Sequence, residues 1–266
     1  MNPRKNLDLS LIITTYQSVE KLRMVLESVE WQSVLPKQII VADDGSNSKT
    51  KALVSEYRDR LDCPVVHSWQ PDTNFRLARS RNLAALKATG LWLLFLDGDC
   101  VMPSNFLAMQ AHLSEDQCVV FGSRKLLSEG TTKQLVTSKF SAHEIHSLFT
   151  GRKFWRLDLG VFRKFPRRSW RQLRGFHIGI SRESFIELGG FDETFVSWGL
   201  EDSEFAVRAQ RAGKILKDGR YATSLLHLWH PESTIRESSN RQVFDDLCQG
   251  SRILPLKTIM TQGSTL

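Results

Sequence analysis

The sequence predicts an α/β fold, a doubly wound and mostly parallel sheet with a second half packed on it, and three observations carry that expectation. Apolar runs alternate with segments of helical periodicity over the first ~120 residues, the signature of βαβ units. The run Leu91-Trp-Leu-Leu-Phe-Leu96 shows no polar alternation, as suits a parallel strand covered on both faces. It ends abruptly in Asp97-Gly98-Asp99, and an earlier apolar run ends in Asp43-Asp44, so carboxylates recur at the strand ends where open α/β sheets receive ligands.

Taken in order, Leu9 to Ile13 reads as a first strand, followed by Val19, Leu22, Val25, Leu26 and Val29 at helical spacing with Ser18 as N-cap. Gln38 to Ala42 is a second strand, followed by a modest helical face through Leu53 and Tyr57. Pro64 to Val66 is a short third strand. Asn74 to Gly90 mixes cations with Leu77, Ala84, Leu86 and Ala88 and reads as a helix that Gly90 stops at its C′ position. Periodicity weakens from Phe121 to Gly151, which reads as a connection or lid. Beyond it, Phe176 to Ser181 is a further strand, Gly189-Gly190-Phe191-Asp192 a turn, and Glu201 onward a helix ended by Gly213; the tail past Pro231 offers one helical face through Val243, Phe244 and Leu247.

The 266 residues, 41% hydrophobic, suffice for one large domain or two intimately packed halves. A formal charge of +7 implies affinity for anions: phosphates, nucleic acid or an anionic membrane surface. The four cysteines form no Cys-x-x-Cys pair, which points away from a zinc knuckle or a disulfide scaffold and towards a reducing, cytosolic compartment. Asp8 and Ser10 flank or interrupt the only early apolar run, no small-residue cleavage site follows, and no run approaches the roughly 20 residues needed to cross a bilayer.

Several stretches carry chemistry. Asp97-Gly98-Asp99 is either a polar β-turn or a pair of hard oxygen donors suited to Mg²⁺ or Mn²⁺ carrying a diphosphate. The segment 151–174 combines many Arg and Lys residues with Trp155, Phe162, Phe165 and Trp170; it reads as a solvated loop with aromatic plugs into the core, or as a grip on an anionic glycolipid acceptor or the membrane interface, with nucleic-acid stacking unsupported elsewhere in the chain. Glu201 and Asp202 fall in a first helical turn, where acidic groups favour the helix dipole without any catalytic role. His227 and His230, three apart beside apolar residues, suit core packing or metal ligation.

Five of these stretches, in this order and spacing, resemble the inverting glycosyltransferases of family two, which have the GT-A fold: Ser10 to Tyr16, Val41 to Ser46, Asn74 to Asn82, Phe95 to Asp99, and Gly189 to Asp192 with Trp198-Gly-Leu-Glu-Asp202. The second half looks like the galactosyl- and N-acetylgalactosaminyl-transferase branch and related bacterial polysaccharide transferases. The resemblance implies a nucleotide-sugar-binding half over 1–125, a connection or lid over 126–174, an acceptor-binding and catalytic half over 175–230, and a helical tail over 231–266. It implies that Thr14, Thr15, Tyr16 and Asp44 line the nucleobase pocket, that Arg76 and Arg81 lie near the nucleotide, and that Asp97 faces ribose and metal. Asp99 and His227 would complete a Mn²⁺ or Mg²⁺ site, with His230 as the alternative histidine or a substrate contact. Asp202 would be the general base, Glu201 would bind acceptor or donor sugar, and Trp198 with Gly199 would meet the substrate. The implied donor is a UDP-hexose or UDP-N-acetylhexosamine, ahead of GDP- or dTDP-sugars; the implied acceptor is a growing saccharide or lipid-linked saccharide at the inner face of a membrane.

Two departures stand out. Asn74 occupies a position where relatives carry glycine, and the 151–174 segment lies outside the general pattern. Rival readings are a sugar nucleotidyltransferase, which would want a glycine-rich phosphate loop although no glycine precedes Gly45, and a non-catalytic anion- or membrane-surface-binding protein, which would leave the carboxylates and His227 without a purpose.

Overall fold

The structure, a computed structural model, describes residues 6–137, 142–149, 170–173, 175–220, 222–231 and 238–260. Four strand-to-helix steps open the chain: β1 (Asn6–Thr15), α1 (Val19–Glu30), β2 (Leu35–Asp43), α2 (Ser48–Arg60), β3 (Val65–Trp69), α3 (Leu77–Leu86), β4 (Trp92–Asp97), β5 (Cys100–Val101) and α4 (Phe106–Leu113). There follow β6 (Cys118–Phe121), β7 (Ser123–Leu126), α5 (Glu129–Thr137), α6 (Ala142–Phe149), β8 (His177–Ser181), α7 (Arg182–Glu187), α8 (Glu201–Arg211), β9 (Ile215–Asp218), β10 (Ser224–His227) and α9 (Ser238–Gln249).

The main sheet has seven strands in the order β3-β2-β1-β4-β8-β6-β9. Its pairs are parallel except where β8 inserts antiparallel between β4 and β6. The sheet therefore runs through both the 1–125 and the 175–230 portions of the chain. Leu11, Ile13, Leu94 and Leu96 pack into one apolar layer with α1 and α2; Ile12, Leu93 and Phe95 pack into the other with α3, α7 and α8. Both strand faces are thus covered, which is why these strands read as unbroken apolar runs. Phe95, Phe185, Phe191 and Phe205 interlock in the second layer, with ring centroids 4.8–5.8 Å apart.

A small sheet, β5-β10-β7, lies beside the carboxyl end of β4. Its registers place His227 opposite Cys100 on one side and Leu126 on the other. Within the 126–174 stretch, α5 and α6 are described, whereas residues 150–169, most of the basic aromatic segment, lie outside the described residues. At its described end Leu173 is buried and Trp170 meets Phe244 edge-on at 5.2 Å, a plug into the core. No helix among the described residues is long and apolar enough to cross a membrane. The four cysteines are all free.

Of the local expectations for Ser18, Gly90 and Gly98, only that for Gly90 is corrected. Ser18 occupies the α1 N-cap but its side chain makes no capping bond. Gly90 does not end α3, which stops at Leu86 with Lys87 as its cap. Gly90 is there because a Cβ would sit 2.5 Å from the Ser10 nitrogen, in a close crossing closed by the Gly90 N–H donating to Ser10 Oγ at 2.9 Å. Gly98 lines the site cleft, and a Cβ there would meet the Thr14 carbonyl oxygen at 2.1 Å, so the residue is small because β1 passes behind it.

Candidate active site

The loops after β1, β2 and β4 and the end of β10 enclose a cleft of about 780 Å³ at the carboxyl edge of the sheet. Thr14, Thr15 and Tyr16 line one end, with Asp44; Asp97, Gly98 and Asp99 form the middle; His227, Trp229, His230 and Trp198 stand on the far side. Topology accounts for the convergence, since β1 pairs with both β2 and β4 and all three point the same way.

The Asp44 end of the cleft is rigidly held. Asp44 accepts from Gln70 Nε2 at 2.5 Å and from the Arg76 backbone N–H at 2.7 Å. Burial raises its pKa, and these two donors oppose the shift. The Arg76 guanidinium turns away to the Pro71 carbonyl, so Arg76 serves this site through its backbone. Tyr16 is half-exposed at the rim, its hydroxyl donating to Asp72 at 3.1 Å.

Arg81 is buried behind the cleft and joins the two halves. It donates to Asp97 Oδ1 at 3.0 Å, to Glu201 Oε1 at 3.3 Å and to the Gly175 carbonyl at 3.2 Å. Burial pushes the Asp97 carboxyl up, with Arg81 opposing. Burial, then the adjacent Asp202 charge, pushes Glu201 higher still, and Glu201 Oε2 has no partner. Asp202 is positioned by backbone: Oδ2 accepts the Gly175 N–H at 2.6 Å and Oδ1 the Ser203 N–H at 2.7 Å. Neither Glu201 nor Asp202 lines the cleft wall; both follow Trp198, Gly199 and Leu200, whose last two residues take positive φ values of 97° and 75° and swing α8 inwards. Asn240 of α9 pins this turn, donating to the Ser197 and Gly199 carbonyls at 3.0 Å each.

Asp99 lies 3.5 Å from His227 Nε2 and 3.2 Å from His230 Nε2. Burial works against its ionisation, but the His230 hydrogen bond and the cationic surroundings hold its carboxyl below the usual range. Burial depresses His227 to about 4, so it keeps a neutral ring, whereas its bond to Asp99 raises His230. Donor atoms of Asp99, Cys100 and His227 all lie within 4.8 Å of one another. Burial and the flanking carboxylates push the Cys100 thiol well above its ordinary pKa, so it remains a weak donor towards Asp99. The two strong donors, one hard carboxylate and one neutral imidazole, fit a divalent cation of the Mn²⁺ or Mg²⁺ kind, the imidazole favouring Mn²⁺. Asp97, drawn to Arg81 and Thr14, stands beside this trio rather than within it.

The predicted residues Thr14, Thr15, Tyr16, Asp44, Asp97, Asp99, Trp198, His227 and His230 thus share one cleft; Arg76, Arg81, Gly199, Glu201 and Asp202 form its support and flank. The cleft also recruits Lys21, Arg124, Leu126 and Trp229. Trp229 sits between two histidines and is visible as such in the sequence; Arg124 is not, because only the pairing of β7 with β10, 101 residues away at Ser123 and Ser224, brings it in.

Fold and site together define an α/β protein with an acidic and imidazole centre at its strand ends. Glycosyl transferase family 2 matches residues 10–182, well over half the chain, and the N-terminal domain of galactosyltransferase matches 157–226. The chain belongs to glycosyl transferase family 2. It is 27% identical over 237 residues to a chondroitin synthase from Escherichia coli, covering 79% of this chain and 34% of that protein. To a validoxylamine A glucosyltransferase from Streptomyces hygroscopicus subsp. limoneus it is 27% identical, covering 77% and 48%. The chain thus spans between a third and a half of these relatives. Among solved structures, GalNAc-T7 with UDP, GalNAc and Mn²⁺ superposes with a TM-score of 0.64 at 19% identity, covering 93% of this chain and 48% of that one. A mannosyltransferase from Pyrobaculum calidifontis in complex with GDP-Man and Mn²⁺ gives 0.61 at 17% identity, covering 87% and 59%. The fold is GT-A.

Proposed function

We propose that the chain is an inverting, metal-dependent glycosyltransferase that moves a hexose or N-acetylhexosamine from a UDP-sugar to a saccharide or lipid-linked saccharide, in the synthesis of a surface polysaccharide. The observation that carries this reading is the single cleft joining the Thr14–Tyr16 and Asp44 end to Asp97, Asp99 and His227. The base lies against Tyr16, with an Asp44 lone pair accepting the uracil N–H. Asp97 meets the ribose, and Asp99 with His227 holds the cation. When bound, the cation neutralises charge developing on the departing diphosphate. Asp202 takes the proton from the acceptor hydroxyl as that oxygen attacks the anomeric carbon opposite the leaving group, and the Gly175 N–H fixes the direction of its carboxylate. Trp198 and Gly199 meet the acceptor, with Glu201 and His230 completing the sugar contacts.

The names of the relatives, chondroitin and hyaluronan synthases among them, support polysaccharide synthesis, and the GDP-mannose and UDP complexes of the structural neighbours support a nucleotide-sugar donor. A cytoplasmic location, with the 151–174 segment against the inner face of the membrane, fits that acceptor. The test is calorimetric titration with UDP, GDP and dTDP, each with and without Mn²⁺. Mn²⁺-dependent binding of UDP is expected; no binding of any of the three to folded protein with metal present would remove the reading.

A further inference from the structure

Two cations in the cleft have no part in the roles assigned above. Lys21 lies in the first turn of α1 and Arg124 on the exposed side of β7, so they reach the same cavity from separate elements. Neither side chain makes an ion pair or hydrogen bond among the described residues. Arg124 is steadied by the Phe176 ring, its guanidinium carbon 5.0 Å from the ring centroid. Burial lowers the Lys21 pKa and the charge of Asp99 opposes that shift. Arg124 acts electrostatically on Asp97 and on His227, and Lys21 on Asp99, His227 and His230. Both therefore lie near the carboxylate and histidine centre.

Ordering rotamer-rich cations in a cleft costs conformational entropy, and the electrostatic gain from meeting an anion offsets that cost. The ligand must bring that anion, because Asp97 is committed to Arg81 and Thr14, and Asp99 to the two histidines. We propose that Lys21 and Arg124 form a two-armed clamp on the diphosphate of the nucleotide, holding it over the Asp97 and Asp99 edge. This inference rests on the donor assignment of the preceding section and adds two positioning residues to it. The diphosphate gains one negative charge as its bond to the sugar breaks, so a clamp of fixed positive charge binds the departing group more tightly than the intact donor and favours the transition state.

The experiment compares the protein with its Lys21→Met, Lys21→Arg and Arg124→Met variants by calorimetry against UDP and uridine, with Mn²⁺ present, and by kcat and KM for donor and acceptor. Loss of one charge-assisted contact is expected to weaken UDP binding about 10-fold or more in each Met variant. Uridine binding should stay within about two-fold, kcat should fall, and Lys21→Arg should retain most of the UDP affinity. Unchanged UDP affinity with a raised acceptor KM would overturn the clamp and assign the cations to an anionic acceptor; unchanged values throughout would overturn it as well. Failure of the unaltered protein to bind UDP, GDP or dTDP would instead overturn the donor assignment on which the clamp rests.

Discussion

Asn74 shows how a single backbone angle explains a residue choice. Its φ is 70°, in the left-handed region where glycine is free and asparagine is the best tolerated of the other residues. The departure from glycine at this position is therefore conservative in conformation. Asn74→Gly should leave stability within about 0.5 kcal/mol, whereas Asn74→Val should cost about 1–2 kcal/mol, measured by urea denaturation. Gly175 has a different reason: a Cβ would lie 2.8 Å from Asp202 Cβ and 3.0 Å from its Oδ2. Gly175→Ala should displace the Asp202 carboxylate and Asp202→Asn should remove its basicity. Both should lower kcat, the second by about 10²–10⁴-fold, with UDP affinity nearly intact. Undiminished turnover in Asp202→Asn would exclude it as the base.

The C-terminal segment after α9 is silent in the sequence and tightly held in the structure. Asp192 is fully buried and accepts from Arg252 Nη1 and the Leu256 N–H at 2.7 Å each, and from Thr194 Oγ1 at 2.7 Å. Glu193 Oε1 accepts from Asn82 Nδ2 and the Ile259 N–H, both at 2.9 Å. Asn82 neighbours Arg81 on α3, and Arg208 of α8 donates to the Leu188 and Gly190 carbonyls, so residues 252–259 strap together the two helices that carry Arg81 and Asp202. Removing Asp192 leaves the Thr194, Leu256 and Lys257 N–H groups without this acceptor and takes from Arg252 its nearest carboxylate. Asp192→Ala should cost about 3 kcal/mol or more, read as a lowered denaturation midpoint. A loss below about 1 kcal/mol would show that the strap is not held through this carboxylate.

Two predictions belong to the whole molecule. In the proposed function His227 of β10 supplies a metal ligand at the end of β4, so a nucleotide–metal complex would bridge the small sheet and the main one. UDP with Mn²⁺ at 100 times its Kd should stabilise the fold by about 2.7 kcal/mol, and His227→Ala should lose most of the Mn²⁺-dependent share. The second concerns His177, at the centre of the sheet, buried against Phe106 and Phe176 and within 3.2 Å of Thr223 Oγ1. Burial holds its pKa to about 3. Because the folded value lies below the unfolded one, its contribution is fully present above pH ~6.5 and is lost as pH falls towards about 3, by about 1.4 kcal/mol per pH unit. Urea denaturation between pH 7 and 4 should show His177→Asn with a shallower loss than the unaltered protein; parallel slopes would contradict this origin.

The first 100 residues announce their fold because parallel strands covered on both faces must be apolar throughout, and because the helices that cover them repeat their apolar positions every turn. Leu91 to Leu96 and Gln38 to Ala42 are of this kind, and the carboxylates at their ends and Trp198 do fall on the cleft, while Glu201 and Asp202 stand on its flank. Other features depend on contacts between residues far apart in the chain. The reason for Gly98 is the Thr14 carbonyl, that for Gly90 is Ser10, and that for Arg124 is the pairing of β7 with β10. The strap over Asp192 is likewise a set of hydrogen bonds to residues some 60 positions on, between groups whose types are ordinary anywhere on a surface. Periodicity is a local property and was legible in the sequence; the partner of a buried polar group is set by packing, and only the tertiary structure decided it.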